Sequence, residues 1–549
     1  MTDPLTKQII WNRLLSLVEE QAQILIRTAF STAVREAGDL SAGIFDPSGR
    51  MIAQAVTGTP GHVNAMAKSV GSFLEVFPAQ TLSEGDVLVT NDPWKGTGHL
   101  NDFTVVTPCF WKNRLVALFA ATSHIADVGG LGFGADGRDV FEEGIWIPIS
   151  HLFRQGKIDV TLIRLIKSNV RDPETCEGDL YSLAACNDAG VQRLHDVLKT
   201  FALDDISAIA DYILAQSAIG MRTAISEVPP GQYQNTMRID GYDEPIDLVA
   251  KVDVQSDKVT VDFAGTSGMS RFGINVPLTY AQAYASFGVR ALIGGEIPNN
   301  HGSLSCIDVM APEGCLLNAA PPAAVSARHA VGQMLPDVVM GALAKALPGR
   351  APAEGTSCLW NPVLKSAGSH PANQFVVNPF HSGGTGARAE KDGLSATAFP
   401  SGVKNTPVEI TETVAPLIIW EKEYIQDSGG AGRFRGGLGQ RMIISHAEGQ
   451  PFRVSKMFDR IKHAPRGRDG GKAGRAGSVS LASGPSLRGM GQDDVSAGER
   501  LVLDLPGGGG LGDPKTRDRA AVRHDLLEGY VSEPAAATEY GWQGDEDDV

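Results

Sequence analysis

The segment from Gly98 to Asp127 constrains this chain more than any other. Phe103 to Trp111 and Leu115 to Thr122 are rich in β-branched and aromatic residues, with Lys112-Asn113 between them. Two such runs around a short polar break read as a β-hairpin. Gly98-His99-Leu100-Asn101-Asp102 precedes the hairpin and Ser123-His124-Ile125-Ala126-Asp127 follows it. An antiparallel ribbon folds its entry onto its exit, so the two clusters meet. A two-residue loop makes paired positions sum to 225, which sets Asp102 opposite Ser123 and sends Asp102 and His124 to opposite faces. A three-residue loop, or a bulge, raises the sum to 226 and sets Asp102 directly opposite His124.

Two imidazoles with one or two carboxylates form a donor set for zinc, manganese or iron(II), not for a metal selected by thiolates. Three or four protein ligands leave positions open for water, whose pKa a zinc ion lowers toward about 7. The competing reading is that His99 and His124 bond turn backbones while the aspartates cap loops. Asp39, between the first helix and a buried-looking strand, is a candidate fourth ligand or a loop cap. His62 opens a helix after Pro60-Gly61 and reads first as a cap, with a substrate role as the alternative. Arg328, in Ser326-Ala327-Arg328-His329, can pair with a carboxylate through its fork, and His329 can act as an acid or base.

Asp3-Pro4 signals a helix start, and an apolar stripe from Ile9 to Ala29 predicts a helix running to about Arg35. Helices are also expected over Val63–Val76, 171–225 and Leu335–Leu347, and strands at Ser41–Phe45, Arg50–Ala55, Asp86–Thr90 and within 234–266. Asp46-Pro47-Ser48-Gly49 suits a type I turn. Beyond about residue 395 short strands alternate with glycine turns, and Pro506–Gly512 reads as a tight structural turn in preference to a phosphate cradle. The arginines from Arg433 to Arg468 among glycines are expected to meet phosphate, an acidic partner or solvent. The fold class is α+β: N-terminal helices with a β-hairpin region, then a β-rich, glycine-rich C-terminal region. The expected divisions are 1–230 with the metal site, a central α/β region 231–400, a β-rich region 401–515, and a helical tail 516–549 with an acidic end at Asp545–Asp548.

Composition narrows the classes. Lys plus Arg number 48 against 63 Asp plus Glu, a net charge of −15, which argues against binding nucleic acid. No apolar run reaches the roughly 20 residues of a membrane span, and Met1–Ile10 lacks a secretory pattern. Six scattered cysteines without a CxxC pair fit reduced thiols in a cytoplasmic protein. No Gly-x-x-x-x-Gly-Lys-Ser/Thr loop is present, so no P-loop nucleotide site is expected in this chain.

These motifs resemble the hydantoinase B family of B-type subunits from ATP-dependent hydantoinase, 5-oxoprolinase and caprolactamase, to which acetone and acetophenone carboxylase subunits are related. The resemblance runs through Arg27-Thr28-Ala29-Phe30-Ser31, Asn91-Asp92-Pro93, both hairpin clusters, Gly383-Gly384-Thr385-Gly386-Ala387, Asn405-Thr406-Pro407-Val408-Glu409, Gly432–Gly437 and Pro506–Pro514. It implies a hetero-oligomer such as (αβ)2, in which an A-type subunit with ATP and magnesium phosphorylates a carbonyl and this chain completes hydrolysis of a cyclic amide with metal-bound water. The implied metal ligands are His99, Asp102 and His124 with Asp39, zinc first and manganese or iron as alternatives. The expected catalytic set is His99, Asp102, His124, Asp127 and His329. The alternatives are a ketone carboxylase subunit working through carboxyphosphate, and a scaffold that only stabilises the A-type partner.

Overall fold

The first helix, α1 (Pro4–Thr28), starts where Asp3 Oδ1 accepts the Leu5 and Thr6 N–H groups at 3.0 and 3.1 Å. Its stripe of Ile10, Leu14, Val18 and Leu25 is buried. The expected continuation to Arg35 does not form: the backbone is extended at Ala29, and α2 (Thr32–Arg35) is a separate turn. The break has a specific cause. Asp179 Oδ1 accepts the N–H groups of Phe30 and Ser31 at 2.7 and 3.2 Å, which takes them out of helical bonding.

The computed structural model describes residues 3–367 and 375–544, and the acidic run Asp545–Asp548 lies outside them. The chain packs as two compact units, residues 1–234 with 249–339 and residues 235–248 with 340–549. Among the described residues no helix is long and apolar enough to cross a membrane. The architecture is the mixed α+β class expected.

The first unit is built on an antiparallel sheet in the order β2-β1-β5-β4-β3-β6-β7. Its strands are β1 (Leu40–Phe45), β2 (Met51–Gln54), β3 (Val87–Thr90), β4 (Asp102–Trp111), β5 (Arg114–His124), β6 (Ser150–Arg154) and β7 (Lys157–Ile158). The β1–β2 turn follows the tetrad: Gly49 N–H donates to the Asp46 carbonyl at 2.9 Å, with Gly49 at φ +84°. One face of the sheet packs on α1 and α6 (Pro173–Thr200), with Ile10, Leu14, Phe119 and Leu194 in the contact layer. The other packs on α3 (Pro60–Val76), through Val63, Met66, Val70, Val106, Leu118 and Ala120. The stretch 171–225 is helical as expected, in two helices: α6 ends at Thr200, Ala202 adopts φ +49°, and α7 (Ser207–Ser226) begins afresh. The first unit also includes the short helices α4 (Val140–Glu143) and α5 (Val160–Asn169) and the longer α8 (Leu278–Ile293). The helix from Leu335 ends at Leu343, earlier than expected.

Among the described residues the second unit holds two four-stranded sheets. One comprises Val376–Val377, Val363–Ser366, Phe452–Met457 and Met490–Val495; the other comprises Leu417–Tyr424, Gln440–His446, Leu501–Asp504 and Ser478–Leu481. Glycine-rich segments of this unit lie side by side. Pro506–Gly512 is not a turn. Its amides at Gly507, Gly508, Gly509, Gly510 and Gly512 donate to the carbonyls of Arg475, Gly437, Glu354, Lys472 and Arg468. With those N–H groups committed to neighbouring backbone, the run has no donors left to cradle phosphate. The arginines nearby are engaged internally: Arg435 meets Asp525, Arg441 meets Asp504 and Arg466 meets Glu354.

Candidate metal centre

The hairpin turns through two residues, Lys112 and Asn113, at φ +50° and +62°, the twisted turn that suits antiparallel ribbons. Trp111 therefore pairs with Arg114 and Phe110 with Leu115. The register then shifts between Cys109 and Phe110, where Cys109 faces Ala117 and Val116 is the extra residue. From that bulge to the open end the pairing continues through Thr104↔Thr122 to Asp102↔His124. Alternation places Asp102, Thr104, Thr122 and His124 on the α3 side of the sheet, where Thr104 Oγ1 and Thr122 Oγ1 are 2.9 Å apart.

Asp102 is the hub, and it is 1% exposed. Its Oδ1 lies 2.7 Å from His99 Nε2 and 3.2 Å from His124 Nδ1. Its Oδ2 accepts from Thr97 Oγ1 at 2.7 Å, lies 2.9 Å from His62 Nε2, and is paired with Arg328 Nη2. Arg328 also donates from Nε to the Thr97 carbonyl at 2.8 Å and lies over the Tyr280 ring at 3.9 Å. A side chain at Gly98 would meet Arg328 Cδ at 2.6 Å, so glycine is required for this approach. Burial alone would raise the Asp102 pKa, but the nearby His62 and the Arg328 charge hold it well below the usual carboxylate range.

His99 Nδ1 is 2.8 Å from the Ser326 carbonyl, so Nδ1 carries the hydrogen and Nε2 presents its lone pair. Burial first, and the Arg328 charge second, pull the His99 pKa down to about 3, which keeps the ring neutral. Nε2 then faces a carboxylate oxygen at 2.7 Å with no proton between them and no hydrogen bond made. His124 Nε2 is likewise buried without a partner. Two acceptors pressed together in a dry site call for a cation. Among the described residues, His99, Asp102 and His124 form a group whose ligand atoms all lie within 4.8 Å of one another. The donor set fits a divalent ion of borderline character.

The other expected residues fall at different distances. Asp39 is outside that trio; its Oδ1 is 3.5 Å from His62 Nδ1, and its carbonyl accepts the His124 N–H at 3.3 Å. Asp127 is taken up by Arg171 at 2.6 Å and by the Gly129 N–H at 3.2 Å, and it is not in the ligand group. His329 is buried at the start of a short helix, its ring 5.5 Å from Phe133. Phe133 also packs edge-on against His99 and His124 at 5.6 and 4.9 Å. His62 joins the site although its sequence position reads first as a helix cap. Burial pulls its pKa down, yet the nearby Asp102 and Asp39 charges prevail and the net shift is upward. The signal for His62 and Arg328 was present in their motifs, but nothing local names Asp102 as their common partner.

The structure is similar to the crystal structure of an ATP-dependent caprolactamase from Pseudomonas jessenii, with TM-score 0.89 and 25% identity over 100% of this chain and 98% of that one. It shares its fold with an acetone carboxylase in a nucleotide-free structure, with TM-score 0.88 and 19% identity over 98% of this chain and 79% of that one. The B-type subunit of a putative D-/L-hydantoinase from Pseudomonas sp. (strain NS671) is 29% identical, covering 98% of this chain and 95% of its own length. The sequence matches the Hydantoinase B/oxoprolinase model over residues 3–514, which spans both compact units, so the chain belongs to the Hydantoinase B/oxoprolinase family.

Proposed function

We propose that this chain is the B-type subunit of an ATP-dependent cyclic amide hydrolase, active with an A-type partner that carries the ATP and magnesium site. The observation that carries this reading is the buried contact of His99 Nε2 with Asp102 Oδ1 at 2.7 Å, beside the unpartnered His124 Nε2. His99, Asp102 and His124 would hold one divalent ion, zinc foremost. When bound, that ion supplies Lewis acidity and makes water a nucleophile near neutral pH.

The partner transfers the γ-phosphoryl group of ATP to the amide oxygen, which removes the resonance that protects the C–N bond. A first water adds to that carbon and the ring nitrogen leaves with a proton, which opens the ring as an acyl phosphate; a second water then cleaves the acyl phosphate to the carboxylate and inorganic phosphate. The residues of this chain prepare that event. Arg328 and Thr97 keep Asp102 ionised and fixed. The Ser326 carbonyl sets the His99 tautomer. His62 Nε2 lies 2.9 Å from the ionised Asp102 Oδ2 and its Nδ1 lies 3.5 Å from Asp39 Oδ1, so His62 links the two carboxylates as a relay for a released proton. Phe133 covers the two imidazoles and keeps bulk water from them. His329 is the proposed acid for the departing nitrogen.

The test is co-purification with an A-type subunit and assay of hydantoin, 5-oxoproline and caprolactam with ATP, alongside acetone with labelled bicarbonate. Ring opening coupled to ADP formation is expected. Label fixed into acetone, with no ring opened, would favour the carboxylase reading, for which the shared acetone carboxylase fold is the supporting observation. A His124→Ala chain that binds its partner and turns over normally would remove the metal-centre mechanism.

A further inference from the structure

Glu143, the last residue of α4, is 3% exposed and is no part of the ligand trio. Its Oε1 accepts two backbone N–H groups, from Val325 and Ser326, each at 2.8 Å. Its Oε2 is buried without a partner. The space around it is reserved: a side chain at Gly137 would come within 2.9 Å of Glu143 Cγ, and one at Gly273 within 3.0 Å of Oε1. The carboxyl group is thus closely packed, with both of its hydrogen bonds made to one dipeptide.

That dipeptide starts the segment that builds the centre from the far side of the sequence. The Ser326 carbonyl faces His99 Nδ1 at 2.8 Å. Two residues on, Arg328 grips Asp102 and the Thr97 carbonyl. One segment therefore fixes the tautomer of one ligand and the position of another. Outer-shell partners of this kind aim metal-binding imidazoles, and their loss typically weakens metal binding by about 10- to 100-fold.

We infer that Glu143 is a positioning residue of the metal centre: by holding the Val325 and Ser326 amides it aims the Ser326 carbonyl at His99 and seats Arg328 on Asp102. This rests on the metal-centre reading above. The required group is a fixed acceptor oxygen at the length of a glutamyl side chain. Glutamine supplies it; aspartate, one methylene shorter, and alanine do not.

The experiment is titration of the full-length metal-free protein and its Glu143→Gln, Glu143→Asp and Glu143→Ala variants with cobalt(II), reading the dissociation constant and the visible d–d spectrum. Circular dichroism verifies folding. The expected pattern is a glutamine variant within about threefold of the parent, and aspartate and alanine variants weakened by at least about tenfold with a shifted d–d band. A folded aspartate or alanine variant that titrates like the parent overturns the inference, as does a glutamine variant as impaired as alanine. Should alanine fail to fold, the aspartate and glutamine pair decides. A parent protein that takes up no cobalt overturns the metal-centre reading itself, a result distinct from any ranking among the variants.

Discussion

Asp102 lies directly across the ladder from His124, one residue beyond where the Lys112-Asn113 turn alone would set it. The difference is Val116, the extra residue at the bulge, and it brings the carboxylate and the imidazole onto one face of the sheet. Removing an imidazole from that face should unload the ion without unfolding the sheet. His99→Ala and His124→Ala are expected to retain the parent circular dichroism while their metal content, measured by plasma mass spectrometry after dialysis, falls by at least about tenfold. Full metal occupancy in either variant would mean the ion binds elsewhere.

Arg328→Met tests the hub from the opposite side. Arg328 and Asp102 are both nearly inaccessible, with side chains 3% and 0% exposed. Taking away one member leaves a buried carboxylate short of its cation, which costs about 3–5 kcal/mol. Urea unfolding should report that loss in the metal-free protein. Arg328→Lys should recover only part of it, because an ammonium cannot span Asp102 and the Thr97 carbonyl as the guanidinium does. Equal midpoints for the parent and the methionine variant would refute the account.

Much of this site is legible in the sequence because a hairpin is local. The two polar clusters lie within one ribbon, so only the turn and the bulge decide whether they meet, and a run of β-branched residues does not reveal which residue will be the extra one. His62 and Arg328 are harder to place. Arg328 reaches Asp102 across 226 residues of chain, and only tertiary packing names its partner. The break after Thr28 escapes the helical pattern because its cause, Asp179, lies some 150 residues away. The glycine runs mislead in another way. Pro-Gly strings signal turns, but here glycine serves the close approach of several backbones.

Glu143 should leave a mark on stability as a function of pH. Burial, the largest influence, raises its pKa from 4.5 to about 8. Between those values the folded chain holds a proton that the unfolded chain has released, so this group's contribution to stability falls as pH rises through the window. Glutamine at this position has no proton to lose. Relative to Glu143→Gln, the parent should lose up to about 1.4 kcal/mol per pH unit across that range in urea midpoints converted to free energy. Parallel profiles for the two proteins would contradict the raised value.

Two alanine substitutions should move stability in opposite directions. Gly508 packs so closely on the Thr385 carbonyl that a methyl group there collides with backbone. Gly508→Ala should cost at least about 3 kcal/mol or prevent folding. Gly71, inside α3, has nothing within 4 Å of the added carbon. Gly71→Ala should stabilise by about 0.5–1 kcal/mol through helix propensity. Thermal melts of the two variants provide the comparison, and a Gly508→Ala protein that melts like its parent would show that the segments can part.

The interlocked glycine segments carry a lesson for redesign. Where successive residues meet a neighbouring main chain at both the amide and the α-carbon, a mutant library has almost no tolerated members and nothing to select among. Attempts to retune what such a protein accepts should leave Gly383–Gly386, Gly429–Gly439 and Gly507–Gly510 untouched. Diversity is better spent on side chains around the β4–β5 opening, where a changed residue can alter a ligand's surroundings without prising two backbones apart.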